Sequence, residues 1–133
     1  RMERHNNNAL EIANYLLKHP KIKNVFYPGL ENNPGYEIAK KQMTGFGGIL
    51  SIELIGDINS AKKFLETIQI FTLAESLGGV ESLIEHPAIM THASIDKKVR
   101  DELGISDTLI RLSIGIEDIN DLKNALNNAL NLI

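Results

Sequence analysis

The sequence predicts an α+β domain, a mostly antiparallel sheet covered by helices. Three observations carry this. Ile49 to Ile55 alternates, with Leu50, Ile52 and Leu54 on one face and Ser51 and Glu53 on the other, as a half-buried strand requires. Leu109 to Ile116 alternates in the same way. The stretches between strand signals have helical spacing, and no glycine-rich strand-to-helix turn marks a phosphate-binding parallel sheet.

Taken in order, residues 2–18 set Leu10, Ala13, Leu16 and Leu17 on one helix face, with the helix stopping before Pro20. The Asn cluster at 6–8, His5 and His19 read as helix or chain surface. Val25 to Tyr27 is a short strand and 28–35 a loop, with Asn33 and Pro34 as cap and first residue of a helix reaching Met43. Gly45, Gly47 and Gly48 end it. After the strand at 49–55, Ile58, Ala61, Leu65 and Ile68 line a helix face between Asp57 and Ile70. Phe71 to Glu75 is a strand ended by Gly78 and Gly79, and 80–85 is extended. Ile95 to Leu103 is a charged surface helix stopped by Gly104. Asp118 and Asp121 form a cap pair for a last helix with Ile119, Leu122, Leu126 and Leu130 inward.

The 133 residues are about the size of one domain, and 43% hydrophobic content suffices for a normal core. Fourteen basic against seventeen acidic residues leave a net charge of −3 with both signs dispersed. No basic stripe exists to track phosphates, so nucleic acid is not an expected partner. No cysteine is present, which removes disulfides and thiolate metal sites and fits a cytoplasmic protein. The longest apolar runs fall far short of a membrane span, so no membrane partner is expected. Arg1-Met-Glu-Arg-His enters a helical pattern without a cap, which reads as a chain cut from something longer.

Chemistry concentrates between Phe71 and Arg111. On the strand at 109–116, Ile110, Leu112, Ile114 and Ile116 share one face while Arg111, Ser113 and Gly115 share the other. A mid-strand guanidinium is a planar fork suited to a carboxylate or phosphate. It predicts an anion clamp, or else a structural ion pair to Glu53 or Glu75 across the sheet. Glu75 and Ser76 precede Leu77-Gly78-Gly79, where the glycines would let Ser76 face a ligand with backbone amides free, or make a plain turn. His86 and His92 lack a third ligand nearby, so no metal site is expected. Spacing alone supplies no complete catalytic set.

Longer motifs add to this. Ala74-Glu-Ser-Leu-Gly-Gly-Val-Glu-Ser-Leu, His86-Pro-Ala-Ile-Met-Thr-His-Ala-Ser and the run from Leu103 to Asp118 resemble the C-terminal part of the pyridoxal-phosphate-dependent Cys/Met metabolism (transsulfuration) family. Tyr27-Pro-Gly-Leu and Phe46-Gly-Gly-Ile-Leu-Ser match in order, so the resemblance spans essentially the whole chain. It implies the small C-terminal domain of a fold-type I enzyme. Residues 1–20 would end the helix linking to a cofactor domain, and 21–133 would form the substrate-binding domain.

The Schiff-base lysine would lie in that other domain, which would hold most of the pyridoxal 5'-phosphate. No catalytic residue and no covalent cofactor contact is then expected here, and the chain alone should be inactive. By the same resemblance Arg111 matches the arginine that binds the substrate α-carboxylate, and Ser76 a serine that helps hold it. Thr91 matches a threonine lining the site. Glu75 matches a glutamate that faces the distal ammonium of cystathionine, and Leu77 departs from the tryptophan of some β-lyases. The implied activity is cystathionine γ-lyase, giving cysteine, 2-oxobutanoate and ammonia. The alternatives are γ-synthase (O-acylhomoserine plus cysteine), then β-lyase, then a non-catalytic module reusing the fold. Implied partners are an amino-acid substrate, the cofactor domain and the other subunits of a homotetramer.

Overall fold

The computed structural model describes all residues from Arg1 to Ile133. Strands β1 (Ile22–Phe26), β2 (Ile49–Leu54), β3 (Thr72–Leu73), β4 (Leu83–Glu85) and β5 (Leu109–Ser113) form one sheet in the order β1-β2-β5-β4-β3. All neighbours are antiparallel except β3 and β4, which run parallel. The mostly antiparallel α+β fold expected is thus the one observed. Alternation sets the register: Leu50, Ile52 and Leu54 on β2, and Ile110, Leu112 and the following Ile114 on β5, are all buried. A one-residue slip would turn each of these to the other side. In β1 both Ile22 and Val25 are buried despite their odd spacing, because the register shifts between Ile22 and Asn24.

Helices α1 (Met2–Leu17), α3 (Ile58–Thr67) and α5 (Ile119–Leu130) supply the apolar stripes that cover this face, while α2 (Tyr36–Gln42) and α4 (Lys97–Glu102) bury one residue and none. Ile12 and Leu16 of α1, Phe64 of α3 and Leu122, Leu126 and Leu130 of α5 join the strand residues in one core. Burying a side chain such as Phe64 contributes about 1.5–3 kcal/mol. Asp57 opens α3 with a capping box, its Oδ1 accepting from Ser60 N at 3.0 Å. Asp118 opens α5, accepting from Asn120 N at 2.8 Å and Asp121 N at 3.3 Å. No helix is long and apolar enough to cross a membrane.

Several local expectations change. Asn33 does not cap α2; its Oδ1 accepts from Gly35 N at 2.8 Å inside the loop, and α2 begins at Tyr36. Leu17 is exposed, whereas His5 and Asn8, read as surface, are buried along with Ala9 and Ile12. In α3 the fully buried aromatic is Phe64, with Leu65 and Ile68 only packed around the core. The strand expected over 71–75 shrinks to Thr72–Leu73, because the chain is then pulled across β5.

Candidate functional site

Residues on and just beyond β5 hold the segment between β3 and β4. Arg111 Nη2 donates to Glu75 O at 2.9 Å and to Ser76 O at 3.0 Å. Ser113 Oγ accepts from Gly78 N at 2.8 Å. Gly115 N donates to Ser82 Oγ at 2.8 Å, and Ile116 N donates to Val80 O at 2.9 Å. Arg111, Ser113, Gly115 and Ile116 therefore fasten 75–82 at several points. Two glycines make this possible. Gly78 turns at φ +78°, and a Cβ on Gly115 would stand 2.3 Å from Val80 O.

Arg111 faces Glu85 across the β4–β5 ladder, and Nη1 meets Oε2 at 2.8 Å. The Glu85 side chain is 1% exposed and that of Arg111 is 21% exposed, so the pair is sealed on the carboxylate side and open on the guanidinium side. This corrects the structural alternative read from the sequence. Glu53 accepts from Ser106 Oγ at 2.9 Å and Asn24 Nδ2 at 3.1 Å instead. Glu75 offers Arg111 its backbone carbonyl, and no ion pair engages its exposed carboxylate. Of the five N–H donors of a guanidinium, three contacts to Glu85, Glu75 O and Ser76 O leave two unspent.

Glu75, Ser76 and Leu77 are exposed beside Arg111 on the segment it holds. The amide of Gly78 is not free for a ligand, because Ser113 takes it. Thr91 is not tied to this group by any hydrogen bond; its Oγ1 lies 2.8 Å from His92 Nδ1. His86 is buried, and its Nε2 donates to Asp107 O at 2.7 Å. Burial pushes its pKa below the ordinary value, so it is held neutral and structural. No cluster of three or more His, Asp or Glu residues is placed to hold a metal ion.

Residues 1–131 match the family model described as Cys/Met metabolism PLP-dependent enzyme. The chain belongs to this family. It is 63% identical over 130 residues to the cystathionine beta-lyase of Coxiella burnetii and 58% identical to the cystathionine gamma-lyase of Dictyostelium discoideum. Each alignment covers 98% of this chain and 34% of the relative. A crystal structure of cystathionine gamma synthase from Xanthomonas oryzae pv. oryzae, in complex with aminoacrylate and cysteine, matches with a TM-score of 0.92 at 47% identity. That match covers 98% of this chain and 34% of the other, so the fold is that of part of a fold-type I pyridoxal-phosphate enzyme. The chain spans about a third of the length of the curated relatives it matches.

Members of the family depend on pyridoxal phosphate, whose aldehyde requires a lysine amine. The group around Arg111 does not fit that role. No lysine joins Arg111, Glu75, Ser76 or Thr91 by hydrogen bond or ion pair. Its donors suit a carboxylate.

Several residues that hold the site escaped sequence reasoning. Glu85 is one, and the signal for it was a carboxylate closing the apolar run Leu83-Ile84, which demands a buried partner. Glu117 accepts from Ser82 N at 2.6 Å and Ser82 Oγ at 2.9 Å. Asn8 Nδ2 donates to Gly115 O at 3.1 Å and Glu117 O at 2.9 Å, and His5 Nδ1 donates to Ile114 O at 2.7 Å. These two α1 residues are buried because the end of β5 needs donors.

Proposed function

We propose that residues 21–133 are the substrate-binding domain, and 1–20 the end of its linking helix, of a pyridoxal-phosphate-dependent homotetrameric enzyme. It cleaves cystathionine at Cγ with water, releasing cysteine, 2-oxobutanoate and ammonia. One observation carries the reading. Arg111 is anchored with two donors unspent, and the segment it holds presents the uncommitted carboxylate of Glu75. Cystathionine carries an α-carboxylate at its reacting end and an ammonium at its far end, the complementary pair. Arg111 would take the α-carboxylate, with Ser76 beside it, and so fix the orientation at Cα. Glu75 would meet the distal ammonium, while Leu77 and Thr91 line the approach. A second reading, β-cleavage to homocysteine, pyruvate and ammonia, is favoured by the 63% identity to the Coxiella protein of that name.

The test is turnover by the full-length protein loaded with cofactor. 2-Oxobutanoate and cysteine from cystathionine support γ-cleavage, and pyruvate with homocysteine supports the second reading. Cystathionine formed from an O-acylhomoserine and cysteine would make it a synthase. No turnover with any of these overturns the substrate assignment. Arg111→Ala should lower kcat/KM by about 2–4 kcal/mol, the loss of a charged contact. An effect below about tenfold would sink the clamp.

A further inference from the structure

We infer that Glu85 is a positioning residue for the carboxylate site, acting through Arg111; this rests on the proposal that Arg111 takes the substrate carboxylate. Glu85 sits on β4 directly opposite Arg111 in the ladder, and its carboxylate is buried beneath the guanidinium at 2.8 Å. Its Oε1 is buried with no partner, so Arg111 is the only side chain that engages the Glu85 carboxylate. The two ends of this pair differ in freedom. Glu85 is enclosed on a strand with buried neighbours Leu83, Ile84 and His86, whereas Arg111 is a long chain with an open side.

The enclosed carboxylate therefore sets where the guanidinium lies, and Arg111 would otherwise sample other rotamers. One consequence follows. With one Nη1 N–H turned to Glu85 and both Nη2 N–H on Glu75 O and Ser76 O, the donors left for a ligand, the second Nη1 N–H and the Nε N–H, are fixed in number and direction. Glu85 touches no ligand in this scheme. It shapes the group that does.

The experiment compares two competitive ligands of the cofactor-loaded, full-length enzyme: norvaline, and butylamine, which is norvaline without its carboxylate. The ratio of their inhibition constants isolates the carboxylate contact. Glu85→Gln keeps the shape and an acceptor but removes the charge. It should shrink the preference for norvaline by roughly fivefold or more while the butylamine constant changes less than about twofold. Arg111→Ala serves as the reference. If Arg111→Ala collapses the preference and Glu85→Gln leaves it intact, the positioning role fails and the carboxylate reading stands. If neither variant moves it, the carboxylate reading fails and takes this inference with it. Equal weakening of both ligands by Glu85→Gln would mark general damage and overturn the positioning role. Should Glu85→Gln not fold, Glu85→Asp reads the same ratio, and failure of both to fold would overturn the role in favour of a purely architectural one.

Discussion

Removing Arg111 should destabilise the fold more than neutralising Glu85 does. Arg111→Ala strands a carboxylate that is 1% exposed and whose Oε1 already lacks a partner. Breaking a buried pair from one side costs about 3–5 kcal/mol. The arginine side chain is 21% exposed, so water can follow into the vacated space, which puts the expected cost near about 3 kcal/mol. The lost bonds to Glu75 O and Ser76 O add little, since both residues are exposed and their carbonyls return to solvent. Glu85→Gln leaves its unpaired charge on the partner that already reaches water, at about 1 kcal/mol. The double variant should recover about 1–2 kcal/mol relative to Arg111→Ala, because no buried charge remains. Urea unfolding followed by circular dichroism, with the slope m unchanged, reads all three. The reasoning is refuted if Glu85→Gln costs as much as Arg111→Ala, or if the double variant is the least stable.

Three further outcomes are expected. Gly115→Ala would set its Cβ 2.3 Å from Val80 O and 2.7 Å from the Glu81 carbonyl carbon, both backbone atoms, and should lower the unfolding free energy by about 1–3 kcal/mol; an unchanged midpoint would contradict the close approach. Burial lowers the pKa of His86 in the fold, so the unfolded chain takes up the proton first as pH falls. The stability contributed by neutral His86 is whole above its unfolded value near about 6.5 and declines below it. Urea midpoints between about pH 8 and pH 5 should fall less steeply in His86→Gln, and parallel curves would rule the coupling out. Tyr27 donates to Gly47 O at 2.8 Å and burial pushes its pKa to about 12. Tyr27→Phe should therefore cost about 1 kcal/mol, and the ultraviolet difference between the two proteins at about pH 11 should show little tyrosinate from Tyr27, far less than an ordinary tyrosine gives.

What was legible in the sequence was whatever one element decides by itself. The period-two patterns of 49–55 and 109–116 named the buried faces of β2 and β5, and the same alternation singled out Arg111 as a charge on the wrong strand for mere solubility. Asp118 announced its helix because a cap acts within four residues. What failed was whatever depends on a second element. Glu53 was a reasonable partner for Arg111, since β2 does lie beside β5, but the register sets Ser51 opposite Arg111 and Glu53 opposite Leu109. Helical periodicity sends polar residues outward, so His5 and Asn8 looked solvated, although the carbonyls of Ile114 and Gly115 were waiting for them.

The division has a functional side. The family resemblance attaches roles to residues that would touch the substrate, such as Arg111, Ser76 and Glu75. It is silent on Glu85, whose carboxylate pairs only with Arg111. An ion pair formed between strands that are distant in sequence is written in the register of β4 against β5, and the register is fixed by apolar residues: Ile84 opposite Leu112, both buried, brings Glu85 opposite Arg111. Packing of the opposite face of the sheet thereby decides the geometry of the charged one. A substitution at Ile84 or Leu112 that let β4 slip by one residue would move Glu85 off Arg111 without touching a single polar atom of the site.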